Sequence, residues 1–445
     1  MPSRWMGKIG LKRVAMGVVA LALVTGAGLW LAPRAPSSAE RTPSGAGPRD
    51  YTRAVALLDA ELAGARTLQR TRPGEWLFDE RLANILLTRA RLSGRFDDYV
   101  EAQRALDRAF AAAPPGAGPH QTQMALAFSL HRLAQAETMI AAIERYAVRP
   151  ERETRMELQL TRGDIAFYRG DYAGALRLYR RSEDEAGAGP SLRIANLLAR
   201  TGEPDEALAT IDRFEAAAKL PTAQLLADLA LRRGTIEMQR GAWEEADRHF
   251  ERATRLFPGW WLAEALRAQM LAATGRYPDA IAAFHAILRS NASPEAMDAL
   301  ASLYRAQGDG GRARLWSMRA GRIWAQRLTA LPEATLGHAA EHELAFGDAR
   351  RALSLARRDF AQRPYGQSAT TLAWALLAVG DAQGALGVLD PAIAAGWTSS
   401  EIHLAKQQAL LLLGRATDAE AERAAALAIN PRATDPAASL IWLGH

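Results

Sequence analysis

Beyond residue 50, the apolar positions of this 445-residue chain recur at helical spacing. In GAWEEADRHFERATRLFP (241–258), Ala246, Phe250 and Ala253 stand at i, i+4 and i+7, the stripe that one helix face presents to a neighbour. GRYPDAIAAFHAILRSNA (275–292) superposes on it without a gap. Trp243 to Tyr277, Ala246 to Ala280 and Phe250 to Phe284 are each 34 residues apart. The pattern predicts a helix pair: Gly ends the first helix, an aromatic two residues later covers the turn, and a small Ala lets the second helix approach closely. Pro258 then stops that helix.

The same template recurs at 170–182, 202–214, 308–316, 347–364, 380–392 and 414–431, with degenerate copies at 94–106 and around 133–148. Its small-residue positions are Ala175, Ala207, Ala246, Ala280, Ala313, Ala352, Ala385 and Ala419, spaced by 32, 39, 34, 33, 39, 33 and 34. The two intervals of 39 predict longer helices or loops near 215–225 and 320–333. In period and pattern the chain resembles the tetratricopeptide repeat family over nearly all of residues 51–445. That resemblance implies an all-α, right-handed superhelical solenoid of antiparallel helix pairs, eight clear and about two degenerate. It also implies that first-helix positions 2, 5, 6, 9, 12 and 13 face a concave groove that takes a protein or peptide partner.

A different apolar pattern precedes the repeats. Residues 14–32, VAMGVVALALVTGAGLWLA, form an uncharged run behind Arg4, Lys8, Lys12 and Arg13. As a helix, 19 residues span about 28 Å, close to the hydrocarbon thickness of a bilayer. The expectation is a signal anchor over 1–32, followed by a Pro/Ser/Gly-rich flexible linker over 33–50. With its basic end cytoplasmic, the solenoid lies in the periplasm, tethered to the inner membrane by one span. A cleaved signal, leaving a soluble periplasmic protein, is the alternative, with Ser37-Ser38-Ala39 as the cleavage site.

Charge removes one class of partner. The net charge is +6, of which +5 falls in the first fifty residues, so residues 51–445 stand at +1. A nearly neutral body gains little from phosphate counterion release, and no nucleic-acid partner is expected. Of 55 basic residues only Lys8, Lys12, Lys219 and Lys406 are lysine, an arginine bias that suggests a GC-rich bacterial genome. The absence of cysteine excludes disulfides, thiolate metal sites and a thiol nucleophile.

One motif carries candidate chemistry. His338-Ala339-Ala340-Glu341-His342 matches the H-x-x-E-H of a zinc peptidase class. Counting back from Ala352 as position 20, however, puts these residues at positions 6, 9 and 10 of a first helix. A peptidase also needs a third ligand and a substrate cleft, and the repeats leave no separate domain to supply them. The expectation is no enzyme, no catalytic residue, no metal, no cofactor and no small-molecule substrate. His338 and Glu341 should face the groove and His342 the packed side.

The family register makes the groove candidates Asp164, Phe167 and Tyr168 of one repeat, Arg193, Asn196 and Arg200 of the next, Arg232 of the third, and His338, Glu341 and Trp374 further on. Aromatic surface and guanidinium forks on successive helices suit an extended peptide or an acidic helix. The lysine-based carboxylate clamp of co-chaperone members is not reproduced, since Leu192 and Leu231 stand where lysines would be. The reading is therefore a membrane-tethered scaffold for envelope assembly or secretion, with a co-chaperone-like peptide binder as the alternative and a zinc metallopeptidase as a remote one.

Overall fold

The computed structural model describes residues 41–186 and 190–443. The expected anchor over 14–32 lies outside these residues; among the described ones, no helix is long and apolar enough to cross a membrane. They form twenty-one α-helices and no strand. Helix α1 (Tyr51–Thr71) is followed by ten hairpin pairs: α2/α3 (Trp76–Ser93, Phe96–Ala112), α4/α5 (His120–Ser129, Leu133–Glu144), α6/α7 (Arg152–Tyr168, Tyr172–Ala186), α8/α9 (Ser191–Arg200, Pro204–Ala217), α10/α11 (Ala223–Gln239, Trp243–Leu256), α12/α13 (Trp261–Ala273, Tyr277–Ser290), α14/α15 (Pro294–Ala306, Gly310–Ala330), α16/α17 (Leu336–Phe346, Ala349–Gln362), α18/α19 (Gly366–Ala378, Ala382–Ala394) and α20/α21 (Ser400–Leu412, Ala416–Ile429).

The small-residue rule accounts for the pairing. All eight alanines of the template are buried, six of them with no exposed surface. Phe250 and Phe284, four residues on, are buried with them and fill the seam between first and second helices. The hairpin glycines Gly94, Gly170, Gly202, Gly241, Gly275, Gly308, Gly380 and Gly414 have φ between +70° and +90°, a left-handed turn that a side chain strains. One of the two long intervals resolves into the 21-residue α15, the other into the 17-residue α10 with the loop before it.

Less expected is how the array closes on itself. The hairpin turn of each early pair touches the segment that follows the pair five places on. Asn291 donates to the Ser93 carbonyl at 3.0 Å, and Arg132 pairs with Glu333 at 3.3 Å. The Gly366 amide donates to the Tyr172 hydroxyl at 2.9 Å, the Thr398 amide to the Arg200 carbonyl at 2.9 Å, and Arg432 to Glu244 at 2.8 Å. The side-chain contacts among these join residues 188 to 201 apart. Successive turns of the coil are therefore stacked edge on edge.

Aromatic rings reinforce the middle of that seam. Tyr168 meets Tyr365 at 5.0 Å, and Trp397 lies 5.8 Å from Tyr172 and 5.7 Å from Tyr365. Residues 41–50, read from composition as part of a flexible linker, also lie along this edge. The Ser44 and Gly45 amides both donate to the Pro221 carbonyl at 3.0 Å, and the Arg41 guanidinium caps the carbonyls of Glu215 and Ala218. Small residues let the backbone approach closely enough for those bonds, which composition alone does not reveal.

Candidate functional site

First helices α2, α4, α6 and α8 line a cleft of about 660 Å³ on the inner face of the first superhelical turn. Its walls are mostly polar and already organised. Thr122 donates to Glu80 at 2.9 Å and accepts from Asn84 at 3.0 Å, which ties α2 to α4. Across the cleft, the Arg193 Nε lies 3.0 Å from both carboxylate oxygens of Asp164, and its Nη2 lies 3.4 Å from Glu157. Tyr179 donates to Asp164 at 2.8 Å from the second helix of that pair. Burial raises the Asp164 pKa, although Arg193 and the Tyr179 hydrogen bond oppose it. Asp164 is thus a buried acceptor that holds the Arg193 fork in one orientation.

Arg91, at the C-terminal end of α2, differs from Arg193. Its guanidinium donates to the Ser129 hydroxyl at 2.9 Å and the Ala125 carbonyl at 3.2 Å. No carboxylate pairs with it among the described residues. Arg91 is exposed, but partial desolvation by the cleft walls lowers its pKa, Tyr99 and Glu157 act against that, and Arg193 adds to it. Two guanidinium groups therefore share the cleft with the carboxylates of Glu80, Glu157 and Asp164; Arg193 is ion-paired and Arg91 is not. Of the two, the Arg91 fork is the one placed to meet an anionic group of a ligand.

The third element is His131. It stands at the hairpin position that carries glycine in most other pairs, yet keeps the left-handed geometry, at φ 61°, and is the one non-glycine residue with positive φ among the described residues. A side chain there costs roughly 1 kcal/mol or more. Its imidazole lines the cleft and lies 5.9 Å from Tyr168, and its Nδ1 has no hydrogen-bond partner among the described residues. Burial first, then the charges of Arg363 and His338, holds its pKa well below the ordinary range, so the ring is neutral.

The sequence-predicted groove residues separate into three groups. Asp164 and Arg193 line the cleft. Phe167, Tyr168 and Arg200 belong to the seam between turns: Phe167 is 6 % exposed and packs on Tyr172 at 5.5 Å, and the Arg200 guanidinium sits 5.5 Å from the Trp397 ring. A ring closed off in that way offers a partner no surface. Arg232 pairs with Asp228 on its own helix at 2.7 Å, outside the cleft, and Asn196 is exposed on α8. His338, Glu341 and Trp374 lie on α16 and α18 of the second turn, where Thr371 donates to Glu341 at 3.3 Å and Trp374 is half-buried.

The HAAEH segment has commitments of its own. His338 stacks on Trp324 at 5.9 Å and lies 3.4 Å from Glu341, whereas His342 is buried with its Nδ1 2.7 Å from Asp298. Asp298 also accepts from the Trp324 indole at 2.8 Å, so the second histidine belongs to a packed network between helices. No group of three or more His, Cys, Asp or Glu side chains among the described residues could hold a metal ion. Burial pulls the His338 pKa down, but the hydrogen bond and charge of Glu341 and the charge of Glu295 outweigh it, for a net rise.

Sequence reasoning missed Arg91 and His131, and each left a trace. Arg91 stands three residues before the Gly94 of a degenerate copy, at position 12 of that copy's register. His131 occupies a glycine position that could be read off the template.

No known protein family matches the chain, and no curated protein matches it. Similar solved structures include a Rap protein complexed with competence and sporulation factor, at 15 % identity over 70 % of this chain and 95 % of that one, with a TM-score of 0.47. The hetero-tetramer of Cut9 and Hcn1 from the APC/C is similar at 14 % identity over 87 % and 85 %, with a TM-score of 0.39. A tetratricopeptide repeat protein from Parabacteroides merdae is similar at 16 % identity over 57 % and 98 %, with a TM-score of 0.35. Likeness at this level concerns architecture alone, and the helix-pair repeats stand on this chain's own packing.

Proposed function

We propose that this chain is a non-catalytic scaffold that binds a protein partner in the first-turn cleft, through an extended segment that brings a carboxylate to Arg91 and Arg193. The observation that carries this reading is Arg91: a guanidinium on a concave face, held by a hydroxyl and a carbonyl, with no ion pair among the described residues. Solvated surface arginines gain little from being so placed, whereas a bound carboxylate gains a two-point contact with a preset fork. His131 supports the same reading, because its side chain is kept at a position where glycine is less strained.

The proposed setting is the periplasmic face of a bacterial inner membrane, with residues 14–32 as tether and the partner drawn from an envelope assembly or secretion system. What supports it is the apolar run behind a basic N-terminus. A soluble periplasmic protein after cleavage would use the same cleft. Two tests separate these claims. A reporter active only outside the cytoplasm, fused after His445, is expected to be active; activity of a cytoplasm-only reporter would overturn the topology. Arg91→Ala is expected to weaken partner capture at least tenfold with folding unchanged, and equal capture would move the binding role elsewhere.

A further inference from the structure

After α21 the described residues form no further helix pair. The chain runs along the edge of the coil, where Arg432 meets Glu244, makes one 3-10 turn over Pro436–Leu440, and ends its described course inside the second turn. There it is held much as a peptide ligand is held. The Gln269 Oε1 accepts from the amides of both Trp442 and Leu443 at 3.0 Å, and its Nε2 donates to the Leu443 carbonyl at 2.8 Å. The Trp442 indole donates to Ser302 at 2.9 Å and stacks on Phe346 at 5.6 Å and 14°, and Arg305 covers Phe346 from 4.6 Å. Leu440 and Leu443 are buried on either side.

Two features set this contact apart from the helix-to-helix packing of the pairs. Gln269 and Ser302 stand at position 9 of pairs 6 and 7, the row that carries Asp164 and Asn196 in pairs 3 and 4, so the segment crosses the concave face where a partner would lie. Gln269 itself has no exposed surface, between Ala268 and Met270. An amide buried among apolar neighbours is costly unless both ends are bonded, and helix packing gains nothing from it. Its Oε1 and Nε2 match two successive amides and one carbonyl of a chain that bends at Leu443. They bond main chain in that bent form, while the Phe346 and Ser302 surface meets an indole.

We propose that the concave face of pairs 6 to 8 is a second docking site, for a partner segment of apolar-Trp-apolar sequence that bends as residues 440–443 do, and that residues 440–443 occupy it in cis until such a segment displaces them. The tether gives the cis segment an effective concentration in the millimolar range, so only a partner that binds tightly or is itself held nearby displaces it. This deepens the scaffold reading but concerns a face separate from the Arg91 cleft.

The test uses the full chain and a labelled peptide of residues 437–443, acetylated and amidated. Trp442→Ala with Leu443→Ala should bind the peptide at least tenfold more tightly than the unaltered chain, and adding Gln269→Ala should remove that gain. Equal binding by the first variant and the unaltered chain, or no effect of Gln269→Ala, would overturn the proposal. Should the tail variant fail to fold, a protease site inserted between Ala433 and Thr434 and cut after folding replaces it. The cut chain should then take up the peptide; refusal of the peptide would overturn the proposal equally. Arg91→Ala should leave this binding unchanged, so failure here and failure of the cleft reading are told apart.

Discussion

The two turns of the coil present the same register of first-helix positions to the interior, yet they treat it differently. In the first turn, position 9 of pair 3 is Asp164, which fixes Arg193 at the wall of an open cleft. In the second turn, position 9 of pairs 6 and 7 is Gln269 and Ser302, both spent on the chain's own C-terminal segment. The open face keeps an unmatched guanidinium and a strained histidine. The occupied face has its polar groups satisfied and its aromatic surface stacked. A buried polar group must find a partner, so a repeat array can keep peptide-reading side chains inside only where something fills them. The open face instead keeps its unmatched charge where water can reach it.

The largest way to break this comparison is to break the pair that joins the two turns. Ala246 of pair 5 has no exposed surface, and Ala246→Arg would overpack the helix contact and bury a charge, at a cost of about 4 kcal/mol or more. In a linear array the damage would stay with neighbouring pairs. Here Arg432 and Asn430 rest on the same pair, so hydrogen exchange should rise across residues 430–443 as well. A melting curve like that of the unaltered chain would show the register to be misplaced.

Next in size is the seam. Trp397→Ala removes a ring that is 1 % exposed and touches Phe167, Tyr172 and Tyr365, at an expected cost of about 3 to 5 kcal/mol in chemical unfolding. Loss of the coupled transition of both turns should accompany it. A cost below about 1 kcal/mol would mean that the turns fold independently.

Acid should loosen pair 5. Burial, with Arg233 and Arg252 beside it and Glu245 opposing, depresses the His249 pKa to about 4. The unfolded chain then binds more protons than the native one below about pH 6.5. This contribution is present above that pH and is lost as pH drops from about 6.5 to about 4, a loss of roughly 3 kcal/mol once complete. His249→Gln should flatten that part of the melting-temperature profile; identical profiles would remove His249 as its source.

The smallest effects sharpen the comparison most. His131→Gly should leave stability unchanged or raise it by about 1 kcal/mol, because the left-handed strain is relieved while the glycine adds unfolded-state freedom. Arg91→Ala should shift stability by no more than about 0.5 kcal/mol, since it loses only bonds to a hydroxyl and a carbonyl. Clear destabilisation by either would make these residues structural supports instead of spare binding groups.

How much of this was legible in the sequence differs by level. The 34-residue spacing of Ala246 and Ala280 announced the pairs, and His342 on the packed side followed from the same register. Stacking of one turn on another was not legible, because its contacts join backbone groups of Thr398 and Arg200 or pairs such as Arg132 and Glu333, about 200 residues apart and without local periodicity. For that reason Phe167 and Tyr168 read as groove aromatics and are found at the seam. The C-terminal segment was hidden similarly, since SLIWL resembles any short apolar run until Gln269 is seen beside it.

Entry of partners through the first-turn cleft can be read out by site-specific photocrosslinking in the full chain. A photoreactive residue at Gln121, on the exposed rim of the cleft, should give one discrete partner adduct that disappears with Arg91→Ala, while the same residue at exposed Arg104 on the second helix of pair 1 gives none. An adduct from Arg104 alone, or one from Gln121 indifferent to Arg91, would contradict the account.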